Sequence, residues 1–290
     1  MRKIILALGV VFLFSCRQDE SIIKPASGSV NGGDGYRASC LITKSTSSTG
    51  EIKNIKYDEN AIPLESISSS GESHYIIVEK PKQLLYFKGG KSSDEVKSRI
   101  YMTDFGSVQK EVAVHVGDDG KTIVEDKNQV DTYYYNSKKL LTKIDKAYGE
   151  DRAIIELTYD DKDRVNRIVI KDPGATMVLF EYTNFTYLDR KKNDNIYNIG
   201  FIESYSTALI PCLQNVYITS YKMKMMPGGF GGIDFGEIDF GGIDLGEINF
   251  DTDYKNEFTF DGNKVTTVKT TVTALGIANS YINNLESSCK

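Results

Sequence analysis

Tryptophan is absent from this 290-residue chain, and histidine occurs only twice, at His74 and His115. Both histidines fall in strand-like stretches with no nucleophile motif beside them, so imidazole catalysis has little to build on. His115 lies opposite a valine face and is expected to be an exposed polar position. Carboxylates are plentiful, but no pair stands out as an acid and base for glycoside hydrolysis. Basic excess is also missing: 35 Lys and Arg against 40 Asp and Glu leave a net charge of −5. No cationic face is then available for phosphates, which excludes a nucleic-acid partner. Cys16, Cys40, Cys212 and Cys289 show neither zinc-site spacing nor a redox CxxC pair. What the chain does have is glycine, tyrosine and phenylalanine, at 25, 18 and 13 residues, a composition of strands and turns.

The folded part is organised around a repeated module. Leu157–Ile170 reads LTYDDKDRVNRIVI, and related stretches recur at Lys56–Ile67, Tyr133–Ile144 and Phe258–Val268. Each has an aromatic residue, then Asp or Asn, a short polar turn and two apolar residues three apart. The closing pairs are Leu64/Ile67, Leu141/Ile144, Val165/Ile168 and Val265/Val268. Asp58, Asn136, Asp160 and Asp261 end a strand because their side chains bond the backbone two residues on. The preceding aromatic suits a pleated, half-buried surface. A spacing of three is odd for a strand, whose faces alternate, so either a bulge intervenes or both faces are covered.

Such hairpins in series predict an antiparallel meander with sequence neighbours adjacent in space. Between the modules, strands are expected at His74–Glu79, Leu84–Lys88, Arg99–Thr103, Val112–Val116 and Lys121–Val124, with Gly117–Gly120 as a hairpin turn. Thr176–Tyr187, Val216–Met225 and Ser280–Leu285 also alternate. On the second of these, Tyr217, Thr219, Tyr221, Met223 and Met225 share a face. Asn195–Leu213 departs from period two, with Phe201, Tyr205, Ala208 and Leu209 at helical spacing, which predicts one short helix near 200–210.

The N-terminus carries an export signal. Arg2 and Lys3 precede an apolar stretch, Ile4–Phe14, too short to span a bilayer. It ends in Leu13-Phe14-Ser15-Cys16, which resembles the lipobox of bacterial lipoproteins, with Phe14 bulkier than usual. The resemblance implies cleavage of residues 1–15 and acylation of Cys16. Several acyl chains, each contributing about 0.8 kcal/mol per buried CH₂, give durable anchoring. Arg17 in place of an inner-membrane retention Asp points to the outer membrane, and Asp19-Glu20 resembles a short surface-export signal. Residues 16–39 then read as the lipidated cysteine and a flexible tether of roughly 25–30 Å. Residues 40–290 form one β-rich domain.

Three cysteines remain. They allow one bridge and one free thiol, or no bridge at all. A Cys40–Cys289 bridge is favoured, because it would tie the ends of the domain together, at a model value of about 4–5 kcal/mol.

Residues 228–253 hold a different repeat, GGIDF-GEIDF-GGIDL-GEINF, with seven acidic residues and no basic one. An expanded surface loop, a single β-helix-like coil and a calcium site compete as readings. Asp234, Asp239, Asp244 and Asp251 would be the calcium ligands.

Lipobox, polar tether, opening Cys strand and Tyr-Asp modules together resemble an uncharacterised family of Gram-negative outer-membrane lipoproteins, over most of residues 40–290. More loosely, the modules resemble the Tyr-Asp repeats of large surface and toxin shells. The family resemblance implies a porin-like fold, an open or half-closed antiparallel sheet, and supplies no catalytic residues. The expected protein is an all-β, membrane-anchored, monomeric envelope lipoprotein at the cell surface that binds a surface glycan or envelope protein. The alternative is a carrier holding an apolar ligand in a half-barrel lined by Tyr217, Tyr221, Met223 and Met225. An enzyme is the third and least favoured reading.

Overall fold

The structure is a computed structural model, and it describes residues 40–57, 63–92, 95–105, 107–173, 177–189, 217–225, 251–262 and 264–289. These form sixteen strands: β1 (Cys40–Ser47), β2 (Ile52–Tyr57), β3 (Pro63–Ser68), β4 (Ser73–Lys80), β5 (Gln83–Lys88), β6 (Val96–Met102), β7 (Val108–Val116), β8 (Ile123–Tyr135), β9 (Leu141–Tyr148), β10 (Asp151–Tyr159), β11 (Val165–Asp172), β12 (Met177–Leu188), β13 (Tyr217–Met225), β14 (Thr252–Asp261), β15 (Lys264–Ala274) and β16 (Ile277–Cys289). Each pairs antiparallel with its sequence neighbours, and β1 pairs with β16, so the meander is a closed barrel. The open or half-closed sheet expected from the sequence is corrected here. The closing ladder joins Cys40–Ser47 to Asn283–Cys289. Full closure satisfies the edge strands that an open sheet would expose. The helix predicted near 200–210 lies outside the described residues, as do the signal peptide, the tether and Cys212.

The modules are bulged hairpins. The register shifts beside the aromatic residue in all four, at Lys56/Tyr57, Tyr134/Tyr135, Thr158/Tyr159 and Thr259/Phe260. Each partner strand carries one extra residue there (Leu64, Thr142, Asn166 or Thr266), so residues three apart point the same way. Val165 and Ile168 are both buried, as are Leu141 and Ile144. In the first module the phase moves by one: Pro63 and Ser66 point inward, while Leu64 is the bulge residue and Ile67 is exposed.

The turns are capped as the Asp/Asn positions require. Asn136 Oδ1 accepts from the Lys138 and Leu140 amides at 2.9 and 3.0 Å. Asp160 Oδ1 accepts from those of Lys162 and Arg164, both at 2.9 Å. Tyrosine hydroxyls tie β2, β8, β10 and β12 each to the strand before it. Tyr57 donates to the Ile42 carbonyl at 2.7 Å and Tyr135 to that of Val108 at 2.6 Å. Tyr159 donates to Leu141 O and Tyr187 to Val165 O. All four bonds lie at the rim where the even-numbered strands end, which is also the rim of the chain termini.

The inward face is identified by its burial. Ile76, Ile100, Ile144, Ile155, Ile168, Tyr182, Tyr221 and Tyr254 belong to one buried cluster running from β4 to β14. Along one row, Tyr133, Ile144, Ile155, Ile170, Phe180 and Met225 are cross-strand partners. The neighbouring outward row reads Lys143, Glu156, Val169, Glu181 and Lys224. Outward charges pair with each other: Lys171 with Glu156 and Arg167 with Glu181, both at 2.5 Å. β5 is covered on both sides, since Leu84 and Tyr86 face the main cluster and Leu85 and Phe87 a second one with Val96 and Val114.

Candidate functional site

The interior divides along the barrel axis. Toward the termini it is apolar. One cross-strand row nearer the opposite rim, it carries charge: Leu84, Ile100, Glu111, Asp131, Lys146 and Ala153 are successive partners on the inward face. Asp131 is 6% exposed, and its Oδ2 lies 2.9 Å from Lys146 Nζ. Asp131 Oδ1 is buried and accepts no hydrogen bond among the described residues.

Burial pushes the Asp131 carboxyl up to about 6; the Lys146 ammonium opposes this and Glu111 adds to it. Burial also works against the Lys146 charge, but Asp131 outweighs it and holds the ammonium protonated above the usual lysine range. Lys146 Nζ lies 5.7 Å from the centre of the Tyr148 ring, and burial raises the Tyr148 phenol. The next row outward, Gln129, Tyr148 and Asp151, reaches solvent. A cleft of about 530 Å³ is lined by Val96, Lys97, Ala113, Val114, His115, Val116, Asp126 and Gln129, and by none of Glu111, Asp131, Lys146 and Tyr148. Ala113 and Gln129 are each two residues along their strands from Glu111 and Asp131.

His74 is buried on the inward face of β4, with Nδ1 2.7 Å from the Tyr86 hydroxyl. Burial drives its pKa down to about 4, with Lys88 and Lys53 lowering it further and Glu72 opposing. His115 is exposed. Neither imidazole has a nucleophile arranged against it in the contacts described.

The candidate apolar lining is brought together on one face of β13, but as core. Tyr221 stacks on Tyr254 at 4.5 Å and on Phe185 at 5.6 Å, and also contacts Tyr182 at 6.3 Å. Met223 and Met225 pack against the same cluster. Tyr217 belongs to a separate cluster with Ile42, Val265 and Leu285. Exposures of 3% for Tyr217 and 6% for Tyr221 show side chains consumed by packing.

Of the candidate calcium ligands, Asp234, Asp239 and Asp244 lie outside the described residues. Asp251 Oδ2 sits 3.7 Å from Lys222 Nζ, which also lies 3.8 Å from Asp253. Among the described residues no group of three acidic, His or Cys side chains suits a metal. Cys40 and Cys289 are cross-strand partners, Cα atoms 4.0 Å apart, and joined by a disulfide.

Sequence reasoning missed Asp131, Lys146 and Tyr148. A signal was present: counting by two from Tyr133 reaches Asp131, and from Ile144 reaches Lys146 and Tyr148, so polar groups stand at inward phase.

No protein-family model and no curated protein matches the chain. Solved structures do. A porin-like protein from Bacteroides vulgatus superposes over 85% of this chain and 98% of its own, with TM-score 0.51 and 11% identity. One from Bacteroides uniformis covers 85% and 96%, with TM-score 0.49 and 13% identity. A TcdB2–TccC3 structure aligns to 80% of this chain but only 16% of its own, with TM-score 0.18 and 12% identity. The first of these shows that the chain has the barrel fold of a porin-like protein.

Proposed function

We propose that this chain is a non-catalytic envelope lipoprotein whose barrel stands in water, held to the outer membrane by lipid on Cys16, and binds a surface glycan or envelope protein. One observation carries this reading: along β9–β13 the apolar face points inward and the charged face outward. A barrel that spans lipid needs an outward apolar band, and each outward Lys or Arg near the bilayer midplane costs about 2–4 kcal/mol. Here Lys143, Glu156, Arg167, Lys171, Glu181 and Lys224 occupy that outward face. Such a barrel needs a separate anchor, and the lipobox-like stretch at Cys16 supplies one. The tether joins β1 at the rim of the termini, so the opposite rim, where the polar row meets solvent, is free to face a partner. The carrier alternative is weakened because Tyr217, Tyr221, Met223 and Met225 are packed into core.

Fractionation of a Gram-negative host tests this. The wild type should incorporate labelled palmitate and sediment with outer membranes, and Cys16→Ser should lose the label and be released. Retention of Cys16→Ser in membranes after alkaline carbonate would overturn the reading, since the barrel itself would then be inserted.

A further inference from the structure

We infer that Asp131, Glu111, Lys146 and Tyr148 form a saccharide subsite on the inner wall of the barrel, entered from the rim opposite the termini. The inference rests on the glycan-binding form of the proposed function and gives it a location. Two observations converge. Asp131 Oδ1 is a buried acceptor with no donor among the described residues, and unmet buried acceptors are costly. The row just outward, Gln129, Tyr148 and Asp151, is open to solvent, with Tyr148 38% exposed.

The chemistry selects the ligand class. Two carboxylates and an ammonium share one wall. An anionic ligand meets Asp131 and Glu111, and a cationic one meets Lys146. A vicinal diol is neutral, and each hydroxyl both donates and accepts, so it can serve Asp131 Oδ1 and take a bond from Lys146 or Tyr148. The Tyr148 ring adds an exposed face for a sugar's C–H edge.

The test is affinity electrophoresis of the full-length protein in detergent through gels containing dextran, mannan or levan, with heparin and chitosan as charged controls. At least one neutral polysaccharide should retard the wild type. The double variant Asp131→Leu/Lys146→Met removes the buried pair without stranding either charge. It should keep the wild-type melting temperature and bind at least tenfold more weakly. Because the chain has no tryptophan, Tyr148→Trp supplies an independent reporter whose emission should shift with the retarding polysaccharide. Equal retardation of wild type and double variant, with no Trp shift, would overturn the location and leave glycan binding standing. Failure of every neutral polysaccharide to retard the wild type, or retardation by the charged controls alone, would overturn the saccharide assignment. Release of Cys16→Ser, measured separately, decides the anchored-barrel reading.

Discussion

His74 and Asp131 should make the stability of this barrel depend on pH in opposite senses across one window. His74 ionises at about 4 in the barrel against 6.5 in the unfolded chain. Between these values the unfolded chain binds the proton and the barrel does not, so stability falls as pH drops from 6.5 toward 4. Asp131 ionises at about 6 in the barrel against 3.8 unfolded. Here the barrel binds the proton first, so stability rises as pH drops from 6 toward 3.8. With roughly 1.4 kcal/mol per pH unit of difference, moving from pH 7 to pH 5 costs about 2 kcal/mol through His74 and returns about 1.5 through Asp131.

The wild type should therefore change by less than about 1 kcal/mol over that interval, and single variants should expose the two halves. His74→Asn keeps a polar side chain toward Tyr86 but does not titrate, and should be more stable at pH 5 than at pH 7. Asp131→Asn should lose about 2 kcal/mol over the same step, through His74 alone. Urea titrations followed by circular dichroism at the two pH values measure this. With only two histidines, a ring-carbon NMR titration also reads His74 directly. Parallel pH profiles for wild type and His74→Asn, or a His74 midpoint near 6.5, would refute the reasoning.

The tyrosine links predict that Tyr159→Phe, which removes the donor to the Leu141 carbonyl, costs about 1 kcal/mol in urea; an unchanged midpoint would show the bond contributes nothing. Tyr135→Phe should cost a similar amount, and because Tyr135 is the cross-strand partner of Leu141, which accepts from Tyr159, the double variant should depart from additivity. Cys40→Ser/Cys289→Ser opens a loop closed over 249 residues, a loss of about 5 kcal/mol in the chain-entropy view. The paired positions of β1 and β16 should still close the barrel at pH 7, with faster amide exchange confined to those two strands; exchange spreading evenly round the barrel would count against this.

Much of the architecture was legible because it is local. The Tyr-Asp modules, the hairpin at Gly117–Gly120 and the strand Met177–Leu188 each declare themselves within a dozen residues. Closure was not legible, because β1 and β16 meet across almost the whole domain and nothing local marks them as partners. The bulges were half legible. A spacing of three at Val165 and Ile168 required an anomaly, but the extra Asn166 becomes visible only once Tyr159 is seen opposite Val165. In the first module Pro63 and Ser66 are buried, Leu64 is the bulge residue packed only partly against the main cluster, and Ile67 is exposed, a change of phase that hydrophobicity alone does not announce.

The functional half turns on a question that period-two patterning leaves open. Alternation of Ile155, Glu156 and Leu157 against Arg167, Ile168 and Val169 states that the sheet has two faces, not which one curls inside. A lipid-spanning barrel and a water-borne one are written with the same alternation and differ only in the sign of curvature. Burial shows which face is inside: Ile155, Ile168 and Tyr182 are at most 1% exposed, while Glu156 pairs with Lys171 and Arg167 with Glu181 on the other face. Once the apolar face is known to be inside, Asp131 and Lys146 change meaning. On an outward face they would be an ordinary surface ion pair worth little. On the inward face, buried and one donor short, they are a place where a polar ligand has something to offer.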